Sequence, residues 1–143
     1  LFIYDCLGII RKQVKIQIIE LASDKDERGF IVTPISDEQL KSIYNLHIVS
    51  LKPGRVRGNH YHEHQTEYIC VLGGPSRLLA RDNETHEKTD LILDGEKCPL
   101  IIMPPDVAHA LKNIGKEAIY LLCYTNRPFS PNKRDTVTNV ILE

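Results

Sequence analysis

An all-β barrel or sandwich is the fold class predicted for this 143-residue chain, and three observations predict it. Short apolar or alternating runs recur along the chain. Clusters of turn-forming residues separate them, and only one segment carries the chemistry of a helix start. Val14–Leu21 alternates as Val14-Lys15-Ile16-Gln17-Ile18, the pattern of a half-buried strand. Asp26-Glu27-Arg28-Gly29 is a turn, followed by a strand over Phe30–Pro34. Ser36–Ile43 is the helical segment: Ser36 is an N-cap residue and Gln39 stands three positions on, the spacing of a capping box. Strands are then predicted at Leu46–Leu51, Gly58–His62, Glu67–Leu72, Arg77–Arg81, Lys88–Leu93, Leu100–Met103, Ala108–Asn113 and Ala118–Tyr124. Asp82-Asn83-Glu84-Thr85 joins two of them as a hairpin. From Arg127 the chain is polar and carries Pro128 and Pro131, so it is predicted to follow the surface before a last strand, Val137–Leu142.

There is no internal repeat, linker or low-complexity stretch, which predicts a single domain over residues 1–143. With 18 Lys and Arg against 19 Asp and Glu, the formal charge is −1. That balance makes no electrostatic case for nucleic acid or an anionic membrane. No apolar run approaches the roughly 20 residues of a membrane-spanning helix. No signal-like segment is present, so a cytoplasmic location is expected. Four cysteines (Cys6, Cys70, Cys98 and Cys123) show neither a CxxC nor a framework spacing. Cys70 and Cys123 lie in apolar runs, where cysteine acts as a small hydrophobe, and all four read as reduced thiols.

Chemistry concentrates in Gly54-Arg55-Val56-Arg57-Gly58-Asn59-His60-Tyr61-His62, followed by Glu67 and Gly74. Side chains alternate faces along a strand, so His60 and His62 share one side. If that side faces a barrel interior, both imidazoles enter one cavity, where Glu67 can join them after a short turn. His109 follows in Met103-Pro104-Pro105-Asp106-Val107-Ala108-His109, with Asn113 beyond it. Three nitrogens and a carboxylate oxygen suit Zn, Fe, Ni, Mn or Cu with coordination positions left open. His47, His64 and His86 read as surface or satisfied polar residues.

The stretch from Gly54 to Gly74 resembles the first signature of the cupins, G-x5-HxH-x4-E-x6-G, at every fixed position. Pro104–Asn113 is similar to their second signature, P-x-G-x-x-H-x-x-x-N, with Asp106 where Gly is usual. Asp tolerates a positive φ better than most residues, so that departure is mild. The resemblance implies a double-stranded β-helix, or jelly-roll barrel, holding a divalent metal on His60, His62, Glu67 and His109. Val56–His62 further resembles the Arg-Gly-x-His core of sugar-nucleotide-modifying cupins, among them dTDP-4-dehydrorhamnose 3,5-epimerases, dTDP-ketohexose isomerases and a capsular-polysaccharide UDP-sugar enzyme. Asp26-Glu27-Arg28-Gly29-Phe30 looks like the turn that opens such chains. By that resemblance the function is isomerisation or epimerisation of a keto-deoxy sugar nucleotide. Arg57 would meet a substrate phosphate or else form a salt bridge in the barrel wall. Asn59 and Asn113 would join Arg57 in binding substrate, and His60 would be the catalytic base or a metal ligand, since one nitrogen cannot do both at once.

Two departures from the metal-free epimerases stand out. His62 replaces their Gln. Phe129, in Thr125-Asn126-Arg127-Pro128-Phe129-Ser130-Pro131, replaces their proton-donating Tyr, leaving Tyr120 and Tyr124 as substitutes. A metal-dependent dioxygenase and a non-catalytic metabolite binder are the alternatives. Barrel sheets leave edges, so a homodimer paired through Leu1–Ile10 is expected.

Overall fold

The computed structural model describes residues 15–143 and, for the backbone alone, residues 2–4 and 10–12. Fourteen strands occur in it: β1 Phe2–Tyr4, β2 Ile10–Lys12, β3 Gln17–Glu20, β4 Ser23–Asp26, β5 Gly29–Val32, β6 Tyr44–Leu51 and β7 Val56–His62. They continue as β8 Glu67–Leu72, β9 Pro75–Asp82, β10 Lys88–Asp94, β11 Pro99–Met103, β12 Val107–Asn113, β13 Ile119–Thr125 and β14 Thr136–Thr138. Two five-stranded sheets carry the domain, ordered β10-β9-β12-β7-β14 and β3-β11-β8-β13-β6. Every pairing is antiparallel. β1 pairs with β2, and β4 with β5, as separate ribbons. The proposed pairing segment Leu1–Ile10 lies largely outside the described residues.

The core forms where the two sheets face each other. Leu78 and Ala80 of β9, Val107 and Leu111 of β12, Ile69 and Val71 of β8, Ile101 and Met103 of β11, and Ile119 and Leu121 of β13 meet there. A second cluster, built on Cys70, Cys98, Leu100 and Tyr124, lies on the opposite side of the β8–β11–β13 sheet. Leu21, Val32, Ile35 and Ile43 pack against it. That cover explains why β8 and β11 read as unbroken apolar runs: both their faces are buried.

The helix expected at Ser36–Ile43 is reduced to one 3-10 turn, Gln39–Lys41. The capping box is nevertheless made, with the Gln39 amide donating to Ser36 Oγ at 3.2 Å and the Ser36 amide donating to Gln39 Oε1 at 2.8 Å. Ile43 then packs into the second cluster and β6 starts at Tyr44, so the segment has no room to extend. The Asp26–Gly29 turn closes β4 onto β5, with the Arg28 guanidinium on the Asp26 carboxylate. Cys70, Cys98 and Cys123 are buried, free thiols, as expected, and Cys6 lies outside the described residues.

Candidate active site

A β-bulge shapes the site. β12 pairs His109 with His60 but Ala110 with Gly58, so Asn59 is the extra residue, at φ 55°. Gly58 is required beside it: its φ is 94°, and a Cβ there would sit 2.7 Å from the His109 carbonyl oxygen. Strict alternation would place Arg57 and His60, three positions apart, on opposite faces. The inserted residue restores them to one face, because their partners Leu111 and His109 share the inward face of β12. Asp106, in the position that favours glycine, has φ 60° and donates its amide to the His62 carbonyl at 2.8 Å.

Three imidazoles from one sheet meet one carboxylate from the other. Glu67 Oε2 lies 3.0 Å from His109 Nε2, 3.1 Å from His62 Nε2 and 3.8 Å from His60 Nε2. One ligand atom from each of the four residues falls within 4.8 Å of the others. His109 Nδ1 is 3.0 Å from the Val107 carbonyl, which can only accept, so Nδ1 carries the proton. Nε2, 3.0 Å from the carboxylate, then offers a lone pair open to a cation in the neutral ring and is an N–H donor to Glu67 in the protonated one. Gln65 Nε2 stands 3.0 Å from His62 Nδ1 and Thr136 Oγ1 3.3 Å from it, fixing that ring too. His60 Nε2 is buried with no hydrogen-bond partner among the described residues. An orphaned His60 nitrogen and three imidazole Nε2 atoms gathered about a buried carboxylate form a donor set that fits a divalent ion. Burial alone would favour the neutral acid of Glu67, but the surrounding imidazoles, His109 foremost, hold its carboxyl well below the usual carboxylate range.

Two cavities meet at this cluster, and His47, His60 and Glu67 line both. One, about 380 Å³, runs under the C-terminal segment, past Phe129, Lys133, Arg134 and Asp135. The other, about 270 Å³, is walled by Val49, Ile69, Leu111 and Leu121, with Arg57 at its edge. Arg57 makes no ion pair among the described residues, so the barrel-wall salt bridge is not present there.

Four of the expected contacts fall elsewhere. Asn59 turns away to hold the C-terminal segment: Oδ1 accepts from the amides of Ile141 and Leu142 at 2.9 and 3.0 Å, and Nδ2 donates to the Leu142 carbonyl at 2.8 Å. Asn113 is fully buried, donates to the Leu51 and Glu117 carbonyls and accepts from the Gly115 amide. Along β13 it is Ile119, Leu121 and Cys123 that enter the core, so Tyr120 and Tyr124 face away from both cavities. Tyr124 stacks on Tyr68 with ring centroids 4.7 Å apart and donates to the Pro34 carbonyl; Tyr120 is half exposed. None of the four lines either cavity. His47, His64 and His86 are exposed as expected, and His47 also lines both cavities. Gln65, Asp135 and Thr136 were not anticipated at all, since two polar loop residues and the first residue of β14 give no signal until the chain folds back on His62.

The model of the polysaccharide biosynthesis C-terminal domain matches residues 24–137. The chain belongs to that family. It is similar to the spore coat polysaccharide biosynthesis protein SpsL of Bacillus subtilis, with 25% identity over 127 residues, covering 84% of each chain. It is 28% identical over 113 residues to a UDP-2-acetamido-2,6-beta-L-arabino-hexul-4-ose reductase of Pseudomonas aeruginosa, covering 78% of this chain but only 29% of the reductase. A solved dTDP sugar isomerase from Desulfovibrio desulfuricans superposes with a TM-score of 0.75 at 17% identity, over 87% of this chain and 83% of that one. The fold is therefore the cupin jelly roll of the sugar-nucleotide isomerases and epimerases.

Proposed function

We propose that this chain is a sugar-nucleotide isomerase or epimerase of polysaccharide biosynthesis that uses a divalent metal held by His60, His62, Glu67 and His109. One observation carries the reading: three imidazoles and a carboxylate converge within 4.8 Å where two cavities meet, beside an arginine with no ion-pair partner among the described residues. The relatives support the substrate class, since their names place them in polysaccharide synthesis and nucleotide-sugar chemistry.

A bound divalent ion would supply Lewis-acid stabilisation of the negative charge that develops on a keto oxygen. The chain's own residues prepare that event. Arg57 offers a forked donor to a phosphate group, a geometry suited to paired oxygens. Val49, Ile69, Leu111 and Leu121 give the smaller cavity apolar walls, which exclude water and strengthen charge interactions inside it. Gln65 and the Val107 carbonyl hold the His62 and His109 rings in place. With His60 counted among the ligands, its Nε2 lone pair is committed.

The test joins metal analysis to proton exchange. Wild type and His62→Ala are purified without added metal or chelator, then each is incubated with a dTDP-4-keto-6-deoxyhexose in D₂O. Stoichiometric metal and deuterium entry beside the keto group in wild type, both lost in His62→Ala, are expected. Wild type that carries no metal and exchanges no proton would overturn the proposal.

A further inference from the structure

Resting on that function, we propose that His47 is the general base of this site. If the three clustered imidazoles serve as ligands, the proton beside the keto group needs another acceptor. His47 meets the geometric requirements. β6 pairs His47 with Cys123 and Val49 with Leu121, whose side chains point inward, so His47 takes the inner face of this edge strand, where its ring stays exposed at the mouth of the cavities. It lines both cavities together with His60 and Glu67. His47 Nδ1 lies 2.8 Å from the Asn45 carbonyl oxygen. A carbonyl only accepts, so Nδ1 carries the proton and Nε2 keeps its lone pair. That hydrogen bond also orients the ring, much as a backbone carbonyl orients a catalytic or metal-bound histidine.

The other groups lining the cavities are committed elsewhere. Asp135 accepts the amides of His64 and Gln65, one on each oxygen. The Thr125 hydroxyl is directed at the Tyr44 and Arg127 carbonyls. Burial, with the negative charge of Glu67 behind it, pushes the Cys123 thiol far above its ordinary range, so it supplies no thiolate. Lys133 and Arg134 stand exposed on the rim. Tyr120 and Tyr124 face the other way.

The step balances without an added oxidant or reductant. His47 Nε2 takes the proton from the carbon next to the carbonyl. The C–H electron pair becomes a carbon–carbon double bond, and the carbonyl π pair moves onto oxygen. Return of a proton to the same carbon epimerises it or restores it. Delivery to the former carbonyl carbon, with a proton shift between the two oxygens, moves the keto group instead.

His47→Asn tests this directly, because the Asn amide can still donate to the Asn45 carbonyl while Nε2 is gone. The probe is again a dTDP-4-keto-6-deoxyhexose in D₂O. Metal content and dTDP binding are expected to match wild type, while exchange and turnover fall about 10²- to 10⁴-fold, the usual contribution of a general base. In His47→Ala, added 4-methylimidazole should recover part of the rate, which a merely structural histidine would not allow. Turnover in His47→Asn within about threefold of wild type would overturn the assignment, being far less than loss of a base costs. The two proposals fail separately: a wild type without exchange removes the function, whereas an active wild type matched by His47→Asn removes only the base.

Discussion

Replacing Asn59 by Ala isolates the bulge from the chemistry beside it. Asn59 makes three hydrogen bonds of 2.8–3.0 Å to Ile141 and Leu142, 82 and 83 residues away. Each neutral bond contributes a net ~0.5–1.5 kcal/mol, so their loss costs about 3 kcal/mol. Alanine must also adopt φ near the 55° that Asn tolerates, which adds about 1 kcal/mol. The sum, roughly 4 kcal/mol, is a large share of a typical domain's stability. Asn59→Gly loses the same bonds but not the backbone penalty, so it should be about 1 kcal/mol less destabilised than the alanine variant. Urea denaturation of wild type and both variants, in chelator so that metal binding adds nothing, measures these differences. Suppose Asn59→Ala instead unfolds within about 1 kcal/mol of wild type yet binds dTDP poorly. The tether argument would then be refuted, and Asn59 would return to the substrate contacts.

Two further outcomes follow from the geometry. Gln65→Ala leaves all four ligands but removes the amide 3.0 Å from His62 Nδ1. The Oε1 of that amide is the acceptor for the Nδ1 proton once Nε2 holds a metal, so its loss should weaken metal affinity about 10–100-fold by competition with a chromogenic chelator. Burial raises the thiols of Cys70, to about 11, and of Cys98 and Cys123, so less thiolate is present at any pH below those values. All three should therefore resist iodoacetamide at pH 8 in the native protein and be alkylated in urea, as peptide mass spectrometry would show.

Strand positions were widely legible from sequence because turn chemistry punctuates the chain: Glu67–Leu72 is β8 to the residue, and most other strands differ only at their ends. Faces were harder. On β6 the outward side chains Leu46 and Ile48 are 54% and 70% exposed, and His47, which faces the cavities, is exposed as well, so polarity did not tell the two faces apart. On β13 nearly every residue is apolar because both faces are covered except at Tyr120, which left no alternation to show that Tyr120 and Tyr124 point away from the cavities. The capping box at Ser36 was read correctly, but its length was set by packing of Ile43 and not by local preference.

By itself the sequence determined the four clustered donors. His60 and His62 share a face through a two-residue period, and Glu67 and His109 lie at recognisable spacings from them. The tertiary structure alone decided which neighbours act with them. One bulged residue at Asn59 turned Arg57 into the cavity and sent the Asn59 side chain to the C-terminal segment. Pairing of β14 with β7 brought Thr136 to His62, with Asp135 beside it, and pairing of β6 with β13 brought His47 to the same centre. Local periodicity encodes the side of a strand to which a residue belongs. A bulge shifts that period, and contacts between strands far apart in sequence come into being only when the sheets close.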